Sequence, residues 1–139
     1  MIDMLAMNET DVRRNWSEVL ERVIHNKPAF IKINQDRMML SNIDFIRNFL
    51  LDCEFSAEKF IEDDGTVTLS LNEIALVENA PTEAEAIYTL AKAILDYAVD
   101  FYNNFSFWSS VPSNKFEIPY VFKALVLGNI SKIVECIRY

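Results

Sequence analysis

Glycine and proline are scarce in this chain, with two and four residues in 139, and there are only two cysteines and one histidine. Two glycines cannot build a phosphate-cradling loop, and neither G-x-x-x-x-G-K-[ST] nor G-x-G-x-x-G occurs. Cys53 and Cys136 show no metal or redox spacing and read as buried thiols. His25 falls at an expected helix end with no second His or Cys pair near it in sequence, which favours a helix-end charge over a catalytic or metal role. Ser109 and Ser110 have no base at any motif spacing, and Glu62-Asp63-Asp64 reads as a solvated hairpin tip. No catalytic constellation assembles, so a non-enzyme with no cofactor and no metal is expected. No apolar run approaches the roughly 18 residues of a membrane span. The opening MIDMLAMNE lacks the basic and long apolar regions of a signal peptide, so a cytoplasmic protein is expected.

What the chain does have is apolar content, 51% of its residues. That suits one domain or two small ones with a real core, and long disordered tracts are not expected. The formal charge of −8 is unevenly spread. Residues 1–51 hold seven acids and seven bases, while residues 52–139 hold fourteen acids and six bases, so all the excess acid lies in the second part. Such asymmetry predicts two modules with different partners, joined near residues 53–56. A strongly basic stripe, the usual footprint of a DNA binder, is absent.

The periodicity predicts an α+β protein. In the first module a strand over 2–7 precedes a helix over 8–25. Val12, Trp16, Val19, Leu20 and Val23 form its apolar stripe, Asn8 caps its start, and Asn26 and Pro28 end it. Strands over 29–34 and 37–41 flank a Gln35-Asp36 turn, and a second helix covers 42–51. In the second module, strands over 59–62 and 66–71 flank Asp63-Asp64-Gly65, a strong hairpin signal. A third strand is expected over 74–77. Thr82 and Glu85 are spaced as a capping box for a long helix whose apolar face runs through Ala84, Ile87, Tyr88, Ala91, Ile94, Leu95, Ala98, Phe101 and Tyr102 to about Phe105. A loop over 108–115 and helices over 119–127 and 129–137 follow.

The order strand, helix, strand, strand, helix, with Thr10, Asp11, Arg13, Asn15, Ser17, Val19, Leu20, Arg22, Val23, Pro28 and Ile31 in place, resembles the N-terminal half of the Phd/YefM family of antitoxins. Trp16 stands where that family has Leu or Phe, and the hairpin is shorter and lacks its usual Gly. The resemblance covers about the first 50 residues. It implies a homodimeric, DNA-binding repressor that neutralises a partner toxin. It also places Arg13 at the family's DNA-contacting position. The second module, through Thr82, Glu85, Ala86, Leu90, Ala91, Ile94, Leu95 and Tyr97, is similar to small HicB-like antitoxin domains.

These readings define the candidate residues. At ~100° per residue, Arg14 points away from the apolar stripe and Arg13 lies on its shoulder. Lys32 and Arg37 flank the hairpin as phosphate contacts. In the second module Phe105, Phe107 and Trp108 are the expected partner anchor, since large aromatics dominate such interfaces; core packing is the competing role. The expected function is a type II antitoxin with a cognate toxin and operator DNA as partners. Alternatives are a transcriptional regulator with a sensing C-terminal domain, or an acidic interaction protein that does not bind DNA.

Overall fold

The computed structural model describes residues 1–25 and 27–139, and these form two compact units, Met1–Phe49 and Leu50–Tyr139. The left-handed turn expected at Asn26 lies outside the described residues.

In unit 1 a single helical turn, α1 (Ile2–Leu5), replaces most of the expected first strand, and β1 is only Met7–Asn8. It pairs in parallel with β2 (Ala29–Ile33), which pairs antiparallel with β3 (Asp36–Leu40). The expected single helix is broken into α2 (Glu9–Arg14) and α3 (Trp16–Ile24). Asn15 leaves helical geometry at φ −113°, ψ 32°, and its side-chain amide donates to the Asp11 carbonyl at 3.1 Å. The Asn15 backbone amide still donates to the same carbonyl at 3.0 Å and the Val19 amide to that of Asn15 at 3.0 Å, so the ladder persists. The added side-chain bond to the preceding turn accompanies a local bend between the two helices. The cap is as expected: the Asp11 amide donates to Asn8 Oδ1 at 2.9 Å. The hairpin turn sits one residue earlier than expected, at Asn34-Gln35, because Ile33 pairs with Asp36. Asn34 takes φ 54°, a left-handed conformation that asparagine tolerates better than other non-glycine residues. Then α4 (Ile43–Phe49) follows Asn42, whose Oδ1 accepts from the Phe45 amide at 2.8 Å.

Unit 2 is a four-stranded sheet in the order β6-β5-β4-β7 with helices on one face. The strands are β4 (Phe55–Ile61), β5 (Val67–Leu71), β6 (Val77–Ala80) and β7 (Ile137–Arg138). The β4–β5 turn is tied by the Gly65 amide donating to the Glu62 carbonyl at 2.9 Å. Gly65 takes φ 82°, a value that a side chain would strain. The third strand lies over 77–80, three residues later than expected, since Ser70 pairs with Val77 and Val67 with Ala80. β7 falls where a helix end is expected; it returns to pair in parallel with the start of β4.

The central helix α5 (Glu83–Asn103) starts at Thr82, whose Oγ1 accepts from the Glu85 amide at 3.2 Å. It packs on β5 and β6, with α7 (Ile118–Leu127) and α8 (Ile130–Cys136) along its other sides. Its buried residues are Ala86, Ile87, Leu90, Ala91, Ile94, Ala98 and Phe101. Of the expected face, Ile87, Ala91, Ile94, Ala98 and Phe101 are buried and Leu95 packs against the core, whereas Ala84, Tyr88 and Tyr102 are exposed and Ala86 and Leu90 are inside as well. A helix covered by a sheet on one side and helices on others buries more than one stripe. The expected loop after α5 is instead helical, with α6 (Phe105–Ser109) and a 3-10 turn, Pro112–Glu117. Among the described residues no helix is long and apolar enough to cross a membrane.

Candidate partner-binding surfaces

Unit 1 leaves an apolar groove open. By register Met38 faces the same side of the sheet as Ile31, and Leu40 the same side as Ala29. The helices lie over β2, and Leu40 packs against Val19, Val23 and Ala29, but Met38 stays 48% exposed. A groove of about 530 Å³ results, lined chiefly by Val12, Trp16, Ile31, Ile33, Met38 and Leu40, with Glu9 and Arg13 at its margin. Trp16, expected on the buried stripe, is 47% exposed and forms part of this groove. Met4 and Leu5 are exposed as well, and α4 buries no residue at all; its Phe45 and Phe49 rings touch each other at 5.1 Å.

The four candidate DNA contacts differ in how free they are. Arg13 and Arg14 are exposed in the last turn of α2, just before the break at Asn15. The Arg13 guanidinium pairs with Glu9 one turn earlier. An exposed pair of that kind is worth little, so it does not withhold Arg13 from a phosphate. Lys32 and Arg37 are opposed across the hairpin. Arg37 is held: its Nε and Nη2 donate to the two oxygens of Asp3 at 2.7 and 3.0 Å, and its Nη1 to the Gln35 carbonyl at 3.3 Å. The hydrogen bonds from Arg37 keep the Asp3 carboxyl below its usual range. His25 ends α3, with Nε2 3.1 Å from Glu21 Oε1.

Unit 2 carries an aromatic ridge where α5 gives way to α6. Phe101 is buried and stacks on Trp108, centroids 6.4 Å apart at 22°. Phe105 and Tyr102 both meet Phe122, at 6.2 and 6.5 Å, and Phe107 meets Trp108 edge-on at 5.2 Å. The three expected anchors therefore divide: Trp108 is half-buried and packed on the core, Phe105 is 39% exposed and Phe107 66%. Phe116, 82% exposed, carries no signal in the sequence, since its neighbours Lys115 and Glu117 give it no apolar pattern. Nearby, the Tyr97 hydroxyl donates to the Glu117 carboxylate and ties the 3-10 turn to α5. Burial first, and then that bond, push the tyrosine pKa up.

The acids gather elsewhere. Glu62, Asp63 and Asp64 form the β4–β5 tip, and Glu83 and Glu85 open α5 beside the end of β6. At 1.5 Å per residue the 21 residues of α5 put about 30 Å between that end and the ridge. The Thr66 hydroxyl and amide both donate to Asp64, which lowers its pKa. Cys53 and Cys136 are free and half-buried rather than fully buried. Both line a small cavity of about 150 Å³ with Leu51, Glu54 and Lys123, because the β4–β7 pairing brings the end of α8 beside the start of β4.

No curated protein matches the chain. Among solved structures it is similar to an antitoxin part of a proposed toxin/antitoxin system from Syntrophomonas wolfei subsp. wolfei, at 31% identity and TM-score 0.89, with 95% of each chain covered. A family model for antitoxins of RelE/RelB toxin–antitoxin systems matches residues 3–139. The α+β fold, with two sheets and a helix-covered second unit, agrees with that likeness across nearly the whole chain, and the chain belongs to the PHD-like antitoxin family of RelE/RelB-type toxin–antitoxin systems.

Proposed function

We propose that residues 1–51 form a Phd/YefM-like homodimer that binds operator DNA and represses its own operon, and that residues 52–139, a HicB-like module, bind and neutralise the cognate toxin. The observation that carries this reading is the kind of surface each unit leaves uncovered. Unit 1, with seven acids and seven bases, exposes an apolar groove and the outward cations Arg13 and Arg14. A unit of that size buries too little by itself, and a second copy laid on the groove would cover Trp16, Met38 and Met39. Unit 2, with the whole excess of acid, exposes an aromatic ridge. Its charge attracts a basic toxin and speeds encounter; the ridge supplies the apolar anchor. Phe107 and Phe105 are the side chains that reach a partner, and Trp108 holds Phe107 from behind.

The test is co-expression of the chain with the product of the adjacent reading frame. Replacing both Phe105 and Phe107 by Ala should weaken the complex by at least about tenfold, as hot-spot truncations do, and leave promoter binding unchanged. Undiminished toxin binding by that variant would remove the ridge from the reading. Toxin that co-purifies with a 1–51 fragment, and not with 52–139, would reverse the division of labour.

A further inference from the structure

β4 runs for seven residues, but β7 pairs with only its first two, Phe55 and Ser56. Along residues 57–61 that side of the strand has no partner strand among the described residues. The backbone pattern shows which groups are free. The Glu62 amide donates to the Thr66 carbonyl and the Asn72 amide to the Ser56 carbonyl, each at 2.9 Å. Even-numbered residues of β4 therefore aim their N–H and C=O at β5, and odd-numbered ones aim them outward. Lys59 and Ile61 present donors and acceptors at the open edge, and Lys59, Phe60 and Ile61 are all exposed.

Sheets normally blunt such an edge with a lysine that points into solvent, a proline or a bulge. Residues 57–61 hold no proline and no bulge, and Lys59, exposed in the strand, is the one guard of this kind. The Lys59 ammonium is drawn aside to Glu83 at 2.7 Å and lies 5.6 Å from the Tyr139 ring centroid. Phe60, Ile61 and Tyr139 add apolar surface at the same place, 48%, 66% and 51% exposed.

The surrounding charge selects the occupant. Glu58 lies in the strand itself, and Glu62, Asp63 and Asp64 follow at its end, all exposed. A second copy added along this edge would bring the same acids against each other, and like charges in facing positions oppose pairing. An extended segment that alternates cations with apolar residues meets the edge with complementary charge and covers Phe60 or Ile61. We propose that the open edge of β4 takes up an extended basic segment of the toxin as an added strand of about five residues, roughly 17 Å. The proposal rests on the reading that residues 52–139 hold the toxin, and it adds a second contact, apart from the aromatic ridge.

Hydrogen exchange on the full chain, alone and in complex with the toxin of the adjacent reading frame, tests it. In the complex the amides of Lys59 and Ile61 should slow by at least about tenfold, whereas those of Phe60 and Glu62, already directed at β5, should change little. Ile61→Pro removes an outward N–H without removing a ladder bond. It should keep the wild-type unfolding midpoint and weaken the toxin complex about tenfold. The Phe105/Phe107 double alanine variant should leave any edge protection in place, so loss of the ridge and loss of the edge are told apart. A complex that forms without protecting Lys59 and Ile61 overturns the proposal. So does protection in the toxin-free chain that grows with its concentration, which would assign the edge to a second copy. If no complex forms, the toxin-binding reading falls, and the edge is judged with a labelled ten-residue peptide alternating valine and lysine. Binding that drops at least tenfold in Ile61→Pro sustains the edge as a strand acceptor, and equal binding to both proteins overturns it.

Discussion

Unit 2 has eighteen buried apolar residues in one cluster, reaching from Phe55 to Ile137, whereas the corresponding cluster of unit 1 is Val19, Val23 and Ala29 with Met7 and Leu40 against it. The difference is one of architecture more than of composition. In unit 2 a 21-residue helix lies on a sheet and is flanked by two more helices, so its apolar residues are enclosed from several sides. In unit 1 two short helices cover β2 and meet β3 at Leu40, leaving Met38 exposed, and α4 buries no residue of its own. The apolar residues of unit 1 are as much surface as core. The association proposed for unit 1 rests on this contrast in enclosure.

This contrast can be broken most directly through the core of unit 2. Ile94→Ala removes a fully buried side chain from α5 and should cost about 3–4 kcal/mol by transfer and cavity terms together. In a denaturant titration, the loss should fall on the transition of residues 50–139. The transition of residues 1–49 should stay where it was, and a loss shared equally by both would mean that the units do not unfold separately. The second test acts on the groove. Met38→Asp should turn a dimer at micromolar concentration into a monomer in sedimentation, and should remove the rise of the unit 1 unfolding midpoint with chain concentration that coupled association produces. A wild-type midpoint independent of concentration would place the missing cover of unit 1 within the chain itself. The smallest expected effect concerns the cations. Arg14→Ala should lower the salt dependence of promoter binding by about 0.9 in log–log slope, one phosphate contact. Arg37→Ala should change it less, since that guanidinium already serves Asp3. Equal slopes for wild type and a variant lacking Arg13, Arg14 and Lys32 would remove this face from DNA.

Local chemistry accounts for what the residues alone make legible. The α+β class, the Asn8 and Thr82 caps, the tight turn at Asp63-Asp64-Gly65 and the membership of an antitoxin family follow from residues within a few positions of one another, or from many spaced positions taken together. Local reasoning fails where a neighbour in sequence is not the deciding neighbour in space. Ile2 to Leu5 are apolar enough for a strand yet coil into a turn of helix, because β2 pairs only with Met7 and Asn8 on that side. Asn15, compatible with a continuous helix by pattern, leaves helical geometry while its side chain bonds the Asp11 carbonyl, and the helix bends there.

The candidate surfaces divide in the same way. That Phe105, Phe107 and Trp108 form an aromatic group is legible from their crowding in the chain, and that Arg14 is exposed is legible from helical phase. Which aromatic is free is decided by packing on Phe101 and Phe122, more than a helical turn away in sequence. That Arg37 is tied to Asp3 is decided by a contact across 34 residues. The open edge of β4 depends on β7 arriving from the far end of the chain and reaching only Phe55 and Ser56. Periodicity and capping determine which segments become helix or strand, because those energies are local. Which edges and rings stay uncovered is a property of how much partner surface each element meets, and only the tertiary structure supplies that.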